Sequence, residues 1–137
     1  MNMYRVAIIT LSDKGARGER EDVSGQVIED MVKEAGYKVV SRQLLSDDRQ
    51  GLTDALISLC DSNTAELILT TGGTGFSSRD NAPEATLAAC ERMVPGIAEA
   101  MRMASLQITP RAMLSRTVSG IRKKTLIVNL PGSPKAV

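Results

Sequence analysis

The feature that most constrains this chain is an alternation of short apolar runs with stretches of helical periodicity. Tyr4–Thr10 is a nearly continuous apolar run rich in Val and Ile, the pattern of a strand covered on both faces in a mostly parallel sheet. Val27, Ile28, Met31, Val32 and Ala35 then recur at helical spacing, and Gly36 follows where a helix C-terminus favours a residue free to take positive φ. Lys38–Leu45 supplies a second strand. Leu52, Ala55, Leu56 and Leu59 mark a second amphipathic helix, and Leu67–Thr71 a third, buried strand. The order so far is βαβαβ. Helical patterns follow over Glu84–Arg92 and Ile97–Gln107, punctuated by Pro95 and Gly96, and strands are expected over Ala112–Ser119 and Thr125–Leu130. Such alternation predicts an α/β fold, a three-layer α/β/α sandwich on a mostly parallel sheet, built as one domain over residues 1–137. In sheets of this kind ligands lie at the carboxyl ends of the strands, so motifs there carry the most weight.

Composition removes several function classes. The chain has no His, which excludes His-based acid-base catalysis, His metal ligation and a Ser-His-Asp triad. Its 17 basic and 16 acidic residues nearly cancel, so no global field draws it to nucleic acid or anionic lipid. One Phe, two Tyr and no Trp leave few faces for base stacking, which also argues against nucleic acid as a partner. The N-terminal apolar run is too short to span a membrane and lacks a small-residue cleavage site, so a cytoplasmic location is expected. Cys60 and Cys90 sit in amphipathic patterns without a CxxC, and read as small buried hydrophobes of a reducing compartment.

Three segments can carry chemistry. Leu11–Gly25 is polar, contains three glycines and is long for a connection in a compact domain. Thr70–Gly75, TTGGTG, begins at the end of the third strand, where glycines let backbone N–H groups approach an anion and Thr hydroxyls add donors. It is neither a P-loop nor a Rossmann turn, because no Gly-Lys-Ser/Thr follows and Ser78 stands where a third Gly is needed. A plain tight turn is the competing reading. Asp80 follows that loop, and Asp47 and Asp48 stand after the second strand on the same rim of the sheet. Carboxylates beside a phosphate cradle suit Mg²⁺, which keeps waters and takes one or two protein carboxylates, and Arg79 can neutralise further phosphate charge. Structural readings stand beside these: Asp47 with Gln50, and Asn81 with Glu84 around Pro83, both fit a helix capping box. The basic turn Arg122–Lys124 reads as a solvated connection, and Ser133–Pro134 as the start of a helix.

Thr70–Glu84, TTGGTGFSSRDNAPE, closely resembles the signature of the MogA/MoaB family of molybdenum cofactor proteins, to which the pterin-adenylating domain of gephyrin belongs. The resemblance extends through Ser12-Asp13, Asp22–Gly25, Pro95-Gly96, Ala112–Arg116, Gly120–Arg122 and Asn129–Gly132, essentially the whole chain. It departs at Ser46, where the family commonly has Pro, and at Asn81-Ala82, where it commonly has Val-Thr.

The resemblance implies a mixed sheet, a homotrimer, and molybdopterin adenylyltransferase activity with Mg²⁺ as cofactor and ATP and molybdopterin as substrates. By matching position, Asp47 and Asp80 are the catalytic, Mg²⁺-associated carboxylates, with Asp48 the substitute if the register slips by one. Gly72, Gly73, Thr74 and Gly75 form the binding loop, and Ser12, Ser105 and Asn129 hold substrate. Other molybdenum cofactor enzymes are the implied protein partners. Family members continue past Asn129–Gly132 into a further helix, so the expectation is of a domain lacking that helix. The rival reading is a non-catalytic molybdopterin carrier or scaffold of the same fold.

Overall fold

The computed structural model describes residues 3–137. Its six strands form one sheet in the order β2-β1-β3-β6-β5-β4: β1 (Arg5–Leu11), β2 (Lys38–Leu45), β3 (Leu67–Thr71), β4 (Arg92–Met93), β5 (Ser119–Arg122) and β6 (Thr125–Leu130). The first four in that order are parallel, with Val6 opposite Leu67 and Leu67 opposite Leu126. The β6–β5 and β5–β4 pairs are antiparallel, so the sheet is mixed. Because the chain leaves β1 for β2 on one side and returns to β3 on the other, the carboxyl ends of β1 and β3 form a topological switch point.

The helices complete three layers as the apolar pattern requires. Along β1, Ala7, Ile9 and Leu11 face a core formed with α3 (Arg49–Asp61) and α4 (Ala82–Ala89), including Leu52, Leu56, Ala85 and Ala89. Val6 and Ile8 face the other way, joining Ile28 of α2 (Val23–Glu34) and partly buried Ile97 and Met101 of α5 (Pro95–Leu106). Ile8, Ile9, Leu56, Ile68 and Ile127 have no exposed surface, and each contributes about 1.5–3 kcal/mol by burial.

Helix ends follow local chemistry. The Asp22 carboxylate accepts from Gly25 N–H at 2.9 Å to start α2, and Gly36, at φ +96°, lies just beyond the end of that helix. The expected long loop after β1 is shorter than the sequence suggests, because a one-turn helix, α1 (Asp13–Ala16), forms inside it and α2 begins at Val23.

Two expectations from periodicity fail. The helix expected over Glu84–Arg92 ends at Ala89: Cys90 turns extended (φ −78°, ψ 143°), and Arg92–Met93 pair with Ile121 and Gly120. Gly120 permits this, since a Cβ there would meet Cys90 Sγ at 2.8 Å and the Arg92 carbonyl at 2.9 Å. The strand expected over Ala112–Ser119 is instead a 3₁₀ helix over Pro110–Leu114 followed by an extended link, and pairing starts only at Ser119. Pro110 follows the capping Thr109, whose hydroxyl accepts from Arg111 N–H, and the backbone of Arg116 is engaged by the glycine-rich loop rather than by a strand. No helix among the described residues is long and apolar enough to cross a membrane.

Candidate active site at the carboxyl ends of the parallel strands

Four parallel strands end on one rim, and each delivers a loop to it: Ser12-Asp13 from β1, Ser46–Asp48 from β2, Gly72–Gly75 from β3 and Pro131-Gly132 from β6. Gly72 and Gly73 have φ of +92° and +70°. A Cβ on Gly72 would lie 2.5 Å from the Leu11 carbonyl oxygen, and one on Gly132 would lie 3.2 Å from Gly72 Cα, so glycine is what lets these loops close on one another. The Thr71 hydroxyl donates to the Pro131 carbonyl at 2.6 Å and the Ser24 hydroxyl to that of Gly132 at 2.7 Å, which fixes the last loop against the end of β3 and the first turn of α2.

The glycine-rich loop turns its carbonyls into the protein. Gly73 O accepts from Ala82 N–H (3.0 Å), Thr74 O from Arg116 N–H (3.1 Å) and Gly75 O from Arg116 Nε (2.7 Å). In a trans peptide unit C=O and N–H point in opposite directions, so the N–H groups of Thr74, Gly75 and Phe76 face away from those partners. No acceptor for these three is found among the described residues. Successive backbone amides presented this way form an anion-binding concavity.

The carboxylates gather beside it. Asp13 and Asp47 exchange hydrogen bonds, Asp13 N–H to Asp47 Oδ2 at 3.2 Å and Asp47 N–H to Asp13 Oδ1 at 2.9 Å. Arg79 donates two bonds to Asp13, Nε at 3.1 Å and Nη2 at 2.8 Å. The Arg79 guanidinium and the Asp47 backbone bond hold the Asp13 carboxyl below the usual carboxylate range. Asp47 moves the opposite way: burial pushes its carboxyl up, and the negative charges of Asp13 and Asp80 add to that rise against the lowering bond from Asp13. Asp80 accepts from Ser77 N–H at 2.9 Å, and its carboxylate sits so close to Gly75 that a Cβ there would meet Oδ2 at 2.9 Å.

The structure separates two neighbours that the sequence leaves interchangeable. Asp48 is the N-cap of α3, its Oδ2 accepting from Gly51 N–H at 2.9 Å, while Asp47 faces Asp13. The capping box expected from Asp47 and Gln50 does not form, because the helix begins one residue later and Gln50 bonds Asp54. Nor does the box from Asn81 and Glu84 form: Asn81 makes no side-chain cap, and Glu84 pairs with Arg116 at 2.7 Å.

The remaining candidates divide. Ser12 caps α1 through Gly15 N–H at 3.0 Å and lines a cavity of about 380 Å³ with Asp22, Ser24, Thr71, Gly72 and Gly132. Ser105 lies apart from it, in a second cavity of about 420 Å³ between α5, the 3₁₀ helix and Pro131. Asn129 has no exposed surface at all. Its Nδ2 donates to the hydroxyls of Thr70 and Thr86, both at 2.9 Å, and its Oδ1 accepts from Val118 N–H at 3.2 Å. It binds β6, β3 and α4 together from beneath the rim and presents no atom to solvent.

Sequence reasoning missed the Asp13–Arg79 pair and the grip of Arg116. Both residues of the pair and Arg116 lie inside recognised motifs, but 66 residues separate Asp13 from Arg79 and 41 separate Gly75 from Arg116, so no local spacing reveals the partnership.

An anion cradle and a carboxylate cluster at the switch point of a mixed α/β sheet define a class of protein that binds phosphorylated ligands on the strand rim. The chain belongs to the family described as the probable molybdopterin binding domain, whose model matches residues 7–137. It is 40% identical over 139 residues to a molybdopterin adenylyltransferase of Helicobacter pylori strain J99, covering all of this chain and 79% of that one. It is 39% identical over 140 residues to the molybdopterin adenylyltransferase of Escherichia coli K12, covering all of this chain and 71% of that one. Among solved structures it is similar to the molybdopterin biosynthesis enzyme MoaB of Thermus thermophilus, with a TM-score of 0.90 and 47% identity over 98% of this chain and 84% of that one.

Proposed function

We propose that this chain is a molybdopterin adenylyltransferase of molybdenum cofactor biosynthesis, transferring AMP from ATP to the phosphate of molybdopterin. The observation that carries the reading is the row of outward amides at Thr74, Gly75 and Phe76, set beside Asp80 and the raised Asp47 carboxyl on one rim. A phosphate oxygen of molybdopterin attacks the α-phosphorus of ATP in line, the new P–O bond forms, and the bond to pyrophosphate breaks. That phosphate is already ionised at neutral pH, so the reaction needs positioning and charge neutralisation rather than a protein base, which suits a chain without His.

The residues present fit a Mg²⁺ carried largely by substrate phosphates. Among the described residues no group of three or more acidic or Cys side chains is arranged as a metal cage. Asp47, however, is pushed up by burial and by two like charges, an imbalance that a cation relieves. Asp47 and Asp80 would hold the ion, which supplies neutralisation of the polyphosphate charge when bound. The amides of the glycine-rich loop bind phosphate oxygens, Asp13 keeps Asp47 and Arg79 in register, and Ser12 with Gly72 lines the adjoining cavity.

The working unit we assign is a cytoplasmic homotrimer of this domain; the exposed apolar side chains of Met103, Ile108 and Met113, on α5 and the segment after it, support a contact surface there. Light scattering of the purified protein tests that assembly. The activity is tested by incubating the full-length protein with Mg-ATP and molybdopterin and following pyrophosphate and AMP-molybdopterin, with Asp80→Asn as control, since Asn keeps an acceptor for Ser77 N–H. Product from the wild type and its loss in the variant support the reading. Pterin binding without product from the wild type replaces it with the carrier function.

A further inference from the structure

Arg116 holds both ends of the segment that follows the glycine-rich loop. Nε donates to the Gly75 carbonyl at 2.7 Å, Nη2 to the Asp80 carbonyl at 2.7 Å, and Nη1 to Glu84 Oε2 at 2.7 Å, while its own N–H takes the Thr74 carbonyl at 3.1 Å. The segment between its two carbonyl partners, Phe76–Arg79, is exposed, and Phe76 is 72% exposed, so little packing holds it. Anchoring the Gly75 carbonyl from one side turns the Phe76 N–H to the other side, by the planarity of the peptide unit. Anchoring the Asp80 carbonyl sets where the Asp80 side chain leaves the backbone.

We infer that Arg116 is a positioning residue for adenylyl transfer, aiming the Phe76 amide at the phosphate and fixing Asp80 in register with it. This rests on the adenylyltransferase reading. The role requires a planar fork with donors in three fixed directions. A Lys ammonium is a single point charge on a flexible stem, which can pair with Glu84 but cannot hold both carbonyls in one plane. Glu84 is a bystander to the aiming: its loss removes an ion pair that is about a third exposed on each side but leaves Arg116 on both carbonyls.

The discriminating variants are Arg116→Lys and Glu84→Gln, each checked for fold by circular dichroism. Arg116→Lys is expected to lower kcat by about 10–100-fold, the scale of a small misplacement of positioned groups, with the KM for molybdopterin nearly unchanged. Glu84→Gln is expected to keep turnover close to wild type, and guanidinium chloride at millimolar concentration is expected to restore part of the activity of Arg116→Ala. A second readout needs no turnover: titrating ¹⁵N-labelled protein with inorganic pyrophosphate should shift the Phe76 amide resonance in the wild type and Glu84→Gln and leave it in place in Arg116→Lys, while the Gly75 amide, whose peptide unit is held by the backbone N–H of residue 116, should respond in all three. The inference is overturned if folded Arg116→Lys matches the wild type in kcat or in the Phe76 amide shift, or if Glu84→Gln loses as much as Arg116→Lys. A wild type that makes no AMP-molybdopterin, yet shows the Phe76 amide shift and its dependence on Arg116, faults the assigned reaction and leaves the aiming role standing as anion binding alone.

Discussion

Replacing Asn129 by Leu keeps the branching at Cγ, adds some volume, and removes every hydrogen bond its side chain makes. In the wild type the Asn129 amide satisfies the hydroxyls of Thr70 and Thr86, both wholly buried, and the N–H of Val118. No buried side-chain polar atom among the described residues lacks a partner, so these groups have no neighbouring orphan with which to re-pair. A buried polar group stranded without a partner costs about 1–3 kcal/mol. Three stranded groups, with some offset from the apolar leucine and incomplete additivity, give a loss of about 3–6 kcal/mol. That is a large share of the about 5–15 kcal/mol available to an ordinary domain. Urea unfolding at pH 7 should therefore show a midpoint lowered by about 2 M at an m-value of about 1–3 kcal/mol per molar. The variant folded at low temperature should still bind pyrophosphate. A loss below about 1 kcal/mol, well under the range for three stranded groups, combined with lost ligand binding, would refute the reasoning and make Asn129 a direct ligand contact.

The two aspartates after β2 should respond in opposite senses. Asp48→Ala removes the cap of α3 and is expected to cost about 1 kcal/mol with turnover retained, whereas Asp47→Asn abolishes turnover without that loss; equal kinetic effects would show that the two roles are wrongly divided. Because the Asp47 carboxyl is raised in the folded protein, the native state binds its proton more tightly than the unfolded chain, and stability falls as pH climbs from the ordinary carboxylate range through the folded value. Asp47→Asn should accordingly be more stable than wild type at pH 7 and indistinguishable from it near pH 3 in paired urea titrations, a difference of opposite sign being the contrary result. Gly72→Ala, forced to φ +92° with its Cβ 2.5 Å from the Leu11 carbonyl, should lose at least about 1–3 kcal/mol and weaken pyrophosphate binding; a thermal melt and a titration on the same sample check both.

Much of this molecule was legible in local pattern. Lys38–Leu45, Leu67–Thr71 and Thr125–Leu130 are strands over the residues that periodicity predicts; the two apolar runs become inner strands covered on both faces, whereas Lys38–Leu45, with polar residues interspersed and none of its side chains fully buried, takes the edge of the sheet. Gly36 marks a helix end for the same local reason, its freedom at positive φ. The strand-end positions of Gly72–Gly75, Asp47 and Ser12 followed from chain order alone. Periodicity went astray where a distant partner claims the backbone: Arg116 N–H goes to Thr74, which keeps residues 112–118 out of the sheet, and Gly120 admits Arg92–Met93, which cuts α4 short.

What the sequence determined by itself was the α/β class, the rim on which chemistry would gather and the residue types available there, since these depend on periodicity and on side-chain inventory. What only the tertiary structure decided was which of two adjacent aspartates caps a helix and which faces the site, that Asn129 works from inside the core, and that Asp13, Arg79 and Arg116 organise the loop. Those assignments rest on hydrogen bonds between residues up to 66 positions apart, and the direction of a donor across such a span exists only after the strands have been brought together.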